Sequence, residues 1–234
     1  MSPLVFAVAG AKSPADISSL ASAPLPMMGL LALLAVVPFA VVMLTSFSKI
    51  AVVLSLTRSA MGTQQAPPTL VLTGLAAVLS AHIMAPVGER MMAIGRDTYG
   101  DELSGSRIVS AAEAVSVPLR EFLTVHASAE ELQRFTELAR ELRTAEQAAL
   151  VSENDLTVVI PAFVITELKE AFVLGFLIFL PFLVLDMIVA NVLLALGMQT
   201  LSPSQVSLPF KLLLFVSVDG WGLLSRGLIL GYRP

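Results

Sequence analysis

Cysteine is absent from the 234 residues, which removes disulfides, thiolate metal sites and cysteine nucleophiles at once. Histidine is nearly absent too. His82 and His126 are the only ones, and neither has a metal-ligand neighbour at helical spacing. One sits in an apolar segment and the other just ahead of a predicted helix, so both read as structural or surface residues. Charge is scarce, at 14% Asp, Glu, Lys and Arg, where an ordinary soluble domain carries roughly 25%. The net charge of −4 and the lack of a Lys/Arg cluster exclude a general nucleic-acid binder. Neither a G-x-x-x-x-G-K-[ST] phosphate loop nor a G-x-G-x-x-G fingerprint occurs, which argues against ATP hydrolysis. No nucleophile stands beside a base, so no catalytic, cofactor-binding or metal-binding residue is assigned and no cofactor is expected.

Apolar residues are what the chain has in abundance. They make up 56% of it, and the mean hydropathy is +0.85. Charge is also unevenly placed, because 20 of the 32 charged residues fall in 89–155. Residues 17–48 and 59–88 are free of charge, and each stretch exceeds the roughly 20 residues that a bilayer-spanning helix needs. A third apolar segment, 171–198, is broken only by Asp186, and a fourth, 208–230, carries Lys211, Asp219 and Arg226. Four hydrophobic helices are expected. Pro26, Pro38, Pro161, Pro181 and Pro209 lie in or beside them, which favours broken helices over straight rods.

The organisation that follows is an N-terminal leader at 1–24, a first hydrophobic hairpin at 25–88, a charged helical region at 89–157 and a second hairpin at 158–234. Lys49 and Arg58 flank the first turn, Lys211 marks the turn of the second hairpin, and the middle holds 13 acidic against 7 basic residues. The bias of Lys and Arg toward the cytoplasmic side then places the middle region, with both termini, in the periplasm. A run at 4–11 followed by Ala21-Ser22-Ala23 has the outline of a cleavable signal, but no basic residue precedes it and Pro24 follows the cut, so an uncleaved leader is preferred. Within the middle region, Ser128 with Glu131 forms a capping-box pattern. Leu132, Phe135, Ala139 and Leu142 then recur at helical spacing, which predicts an amphipathic helix starting near Ala129.

Charges in apolar segments are costly, and Asp186, Lys211, Asp219 and Arg226 therefore seek a protein interior, a partner or water. Asp219 and Arg226, seven residues apart, would share a helix face two turns apart, so partner subunits are the expected counter-ions. Gly227 and Gly231 form G-x-x-x-G, which permits close helix approach. The ten methionines read as core filling.

Three blocks carry a likeness to a known family. Thr45-Ser46-Phe47-Ser48-Lys49-Ile50 leads to Gly62-Thr63-Gln64-Gln65-Ala66-Pro67-Pro68. Ile160-Pro161-Ala162-Phe163-Val164 leads to Glu167-Leu168-Lys169. Ser207-Leu208-Pro209-Phe210-Lys211-Leu212-Leu213-Leu214-Phe215-Val216 is followed by Val218-Asp219-Gly220-Trp221. With Pro118-Leu119-Arg120-Glu121-Phe122, these resemble, in order, the blocks of the SctR/FliP family of type III secretion export-gate proteins over residues 25–232.

The resemblance implies an all-α membrane protein whose kinked hairpins assemble as a homopentamer in a helical, cone-like gate of the bacterial inner membrane. Its implied partners are small two-helix gate subunits (SctS/FliQ-like), one larger subunit (SctT/FliR-like), an SctV/FlhA-like export protein and the unfolded proteins that pass through. It also implies that the assembled hairpins rise largely above the bilayer plane. Glu167 and Lys211 match positions at contacts between neighbouring subunits and are expected to form or approach an intersubunit salt bridge, and Asp186 and Asp219 join them as expected contacts. Met198 matches the start of a methionine ring that narrows the pore. Here one methionine stands where many relatives have three, so Gln199 is expected to line a more polar constriction. The phrasing around residues 201–211 and 226–232 is closer to the virulence or symbiosis branch than to the flagellar one. A different class, a small-ion or proton channel using Asp186 and Asp219 as relay carboxylates, is the alternative.

Overall fold

A computed structural model describes residues 24–63, 65–98 and 105–233. The expected leader therefore lies, but for its last residue, outside the described residues. Among the described residues there are nine helices and no strand. They are α1 (Pro24–Leu44), α2 (Phe47–Ala60), α3 (Thr69–Thr98), α4 (Gly105–His126), α5 (Ala129–Glu141), α6 (Ala145–Ala148), α7 (Leu156–Ala195), α8 (Pro203–Ser217) and α9 (Gly220–Leu230). The chain divides into two units at Val41. In the first, α1 has no polar residue along its length and leaves Leu31, Leu34 and Phe39 exposed, which is the composition of a helix meant for lipid or for other apolar helices.

In the second unit, α2 lies along the N-terminal half of α7, with α3, α4 and α5 packed around them. The sequence explains the packing of α3. Leu72, Ala76, Leu79, Ile83 and Val87 recur at three- and four-residue spacing and are buried as one stripe. They meet Ile50, Val53 and Leu54 of α2, Phe122 and Leu123 of α4, and Val159, Ala162 and Phe163 of α7. At Gly175, which is buried, α7 packs against Leu56 of α2. A Cβ there would sit 2.2 Å from Leu56 Cδ1, so a larger residue fits only if Leu56 or a helix moves.

The expected helix near Ala129 is present as α5, with Ser128 Oγ accepting the Glu131 N–H. The other half of the box is different: the Ser128 N–H donates to Thr166 Oγ1 on α7, and Glu131 turns inward to Lys169. Leu142 was expected in the buried stripe and is instead 87% exposed, because the helix ends at Glu141 and the chain turns there.

The third hydrophobic segment is part of a longer element. α7 is one helix of 40 residues, about 60 Å at 1.5 Å per residue, roughly twice the hydrocarbon thickness of a bilayer. Pro161 and Pro181 lie inside it without ending it; each removes only one intrahelical donor. The breaks fall elsewhere, at Thr45-Ser46 and at Val218-Asp219. α8 and α9 are bent by 58° at the second. Among the described residues, α3 and α7 are long and apolar enough to cross a membrane, and up to four spans result if each of the two broken pairs counts as one.

Candidate functional site

The blocks singled out in the sequence meet in space. Lys49, from the first block, and Glu167, from the second, are 4% and 0% exposed and pair at 3.1 Å. Lys49 also reaches Glu170, at 2.5 Å, one turn outward on α7. Each Glu167 oxygen is occupied, Oε1 by Lys49 and Oε2 by the Tyr232 hydroxyl. Burial, and then the carboxylate of Glu167 beside it, push the Tyr232 hydroxyl far above its ordinary pKa, so it remains a donor. The Lys49 ammonium lies 4.5 Å from the centre of the Tyr232 ring, within cation–π range. Sequence reasoning named Glu167 but missed Lys49 and Tyr232 as its partners. The available signal was Lys49, a lone charge at the start of a helix otherwise poor in charge.

A second buried cation organises the other end. Lys211 on α8 is 3% exposed and pairs with Asp186 on α7 at 2.6 Å. Its ammonium also donates to the carbonyl of Ala60, 3.4 Å away, at the last residue of α2. The negative end of that helix favours a cation there. Ser207 Oγ donates to the other Asp186 oxygen at 2.5 Å. Asp186 and Lys211, expected to find counter-ions on partner subunits, thus find each other within the chain. Around this pair, Ala60, Met61, Phe182 and Phe215 form a small apolar cluster.

Asp219 and Arg226 are exposed, and neither has an ion-pair partner among the described residues. They do not share a helix face. Asp219 precedes α9 in a left-handed conformation, with φ at 50°, and the chain bends there. The bend is held closely: a Cβ on Gly220 would lie 2.3 Å from the Phe215 ring, and one on Gly222 would lie 2.2 Å from the Asp219 carboxylate. Aspartate is among the few non-glycine residues that tolerate this region.

Met198 and Gln199 lie on the exposed tip between α7 and α8. α7 stops because Gly197 adopts φ of 70°. The Met198 N–H then bonds the Leu193 carbonyl at 2.9 Å and the Gly197 N–H bonds Leu194 at 3.1 Å, the Schellman arrangement. Pro203 then opens α8, where its missing N–H costs nothing. The tip from Leu196 to Ser202 is exposed throughout, with Met198 at 44%.

His82 is exposed, whereas His126 bonds the Phe122 carbonyl through Nδ1 at 2.8 Å, its ring tilted 35° against the Phe122 ring. No group of three His, Asp or Glu side chains suited to a metal occurs among the described residues. Gly227 and Gly231 border a groove of about 370 Å³ with Val173, Leu174 and Leu228 on its apolar side and Lys49, Lys169 and Glu170 at its charged side.

With this geometry in view, comparison with known proteins is specific. A family description, the FliP family, matches residues 30–228. The chain is 44% identical over 204 residues to a hypersensitivity response secretion protein, HrcR, of Ralstonia nicotianae, covering 86% of this chain and 93% of that protein. It is 43% identical over 205 residues to Yop proteins translocation protein R of Yersinia pestis, with the same 86% and 93% coverage. The flagellar biosynthetic protein FliP of Caulobacter vibrioides is 42% identical over 207 residues, covering 88% of this chain and 76% of that one. Lys49, Glu167, Asp186, Lys211 and Asp219 all lie inside the matched span, and the chain belongs to the FliP family.

Proposed function

We propose that this chain is a core subunit of a type III export gate in the bacterial inner membrane and that it lines the path by which unfolded proteins cross. The observation that carries the reading is the division of α7. Its residues up to Ala171 pack largely in the chain's own core, while the remainder exposes Phe172, Phe176, Leu183, Val184, Met187 and Ile188. That exposed part, about 36 Å at 1.5 Å per residue, is long enough to cross a bilayer once, and we assign sister copies and partner subunits, together with lipid, to its cover because the relatives bear the names of secretion and flagellar proteins. Names borne by relatives, a hypersensitivity response secretion protein and a flagellar biosynthetic protein, favour protein export over ion conduction. Asp186 argues the same way, because Lys211 and Ser207 already occupy both of its oxygens.

In this reading five copies assemble with SctS/FliQ-like, SctT/FliR-like and SctV/FlhA-like proteins, and the charged middle region faces the periplasm. The exposed tip with Met198 and Gln199 forms the constriction. Asp219 meets a neighbour directly, while the pairs of Glu167 with Lys49 and Lys211 with Asp186 hold the faces that neighbours approach. The relatives' names and the sequence phrasing favour the virulence or symbiosis branch. Native mass spectrometry of the chain co-expressed with its neighbouring membrane genes tests the proposal. A complex containing five copies is expected, and a chain that stays monomeric beside those partners overturns it.

A further inference from the structure

Tyr232 stands two residues beyond α9, yet it is buried. The backbone ties it rigidly to that helix: the Gly231 N–H bonds Gly227 O at 3.0 Å and the Tyr232 N–H bonds Ile229 O at 3.2 Å. Its ring lies nearly parallel to Phe122 on α4, with centroids 6.0 Å apart and 14° between planes, and it sits 5.1 Å from His126. Its hydroxyl donates to Glu167 on α7, and its face meets the ammonium of Lys49 on α2. One side chain near the C-terminus therefore touches three separate helices. A phenylalanine would pack equally well there. The hydroxyl has one task, which is to satisfy the Glu167 oxygen that Lys49 leaves open, and a buried carboxylate oxygen without a partner is costly.

We propose that Tyr232 is a clasp that locks α9 to the charged middle region through α4 and, at the same time, to the buried Lys49–Glu167 pair. The last helix then cannot shift without loosening both. This inference rests on contacts within one chain and stands apart from the proposed gate role.

The complete chain in detergent micelles provides the test, with hydrogen exchange as the first readout. Emission of Trp221 on α9, the only tryptophan, which lies edge-on to Phe215 of α8, is the second. Tyr232→Ala is expected to raise exchange at least tenfold in both 113–126 and 220–231, to leave 69–96 unchanged and to shift Trp221 emission to the red. Tyr232→Phe, which keeps the packing, is expected to give a smaller rise in the same two segments. The clasp is overturned if only one segment responds, if neither does, or if exchange rises equally in every helix. Should Tyr232→Ala fail to fold, the Phe variant decides alone by the same pattern.

Discussion

Lys49 and Glu167 illustrate why buried charge is held in pairs. Removing one partner strands the other in a medium that cannot solvate it, which typically costs about 3–5 kcal/mol, whereas replacing both with apolar residues of similar size is often nearly neutral. Lys49→Met is therefore expected to lower the unfolding midpoint of the detergent-solubilised chain strongly. The double variant with Glu167→Met should recover most of the loss, although Tyr232 is then left without its acceptor. Asp219 gives a backbone counterpart. Its left-handed conformation is tolerated by Asn and Gly, so those substitutions should be close to neutral in the same measurement, while Asp219→Val should cost about 1–2 kcal/mol. At this scale the sequence was partly legible. The Ser128–Glu131 cap was readable because it is local, and Glu167 stood in a recognisable block. Lys49 is 118 positions from its partner, and no spacing rule links residues that far apart.

Helices were easier to anticipate than their ends. Charge-free runs marked the apolar elements, but α3 continues past Gly88 into Glu89 and Arg90, and α7 begins at Leu156, well before the apolar run at 171. The reason is tertiary. The first half of α7 is held in the core by α2 and α5, so it needs no uniform hydropathy and tolerates Pro161. Proline was also the wrong sign of a break in the fourth segment, where the bend comes from the left-handed Asp219 and from Gly220 under the Phe215 ring. Gly175 carries the prediction at this level. Gly175→Ala must push α2 and α7 apart or displace Leu56, at a cost in the range of overpacked cores, about 1–3 kcal/mol. The effect should appear as a lowered unfolding midpoint, and Leu56→Ala in the same chain, by opening the space, should recover part of it.

Beside an apolar core, the described residues hold two buried lysine–carboxylate pairs inside and leave many Phe, Leu and Val side chains outside. Such a chain is incomplete by itself, and what completes it differs along its length. Lipid can cover α1, whose exposed residues are uniformly apolar, but it is a poor neighbour for the tip, where Gln199, Thr200 and Ser202 sit beside Met198 and Leu201. That mixed polarity fits a ring of tips facing water and passing polypeptide. Met198→Cys, in a chain that has no other cysteine, is therefore expected to form crosslinks between copies in the assembled complex and none in the chain expressed alone. A cysteine at Val159, buried in the core of each copy, should crosslink in neither. If Met198→Cys reacts with lipid-soluble reagents but never with a sister chain or a stalled substrate, the tip lies against lipid and the constriction must be sought elsewhere on the molecule.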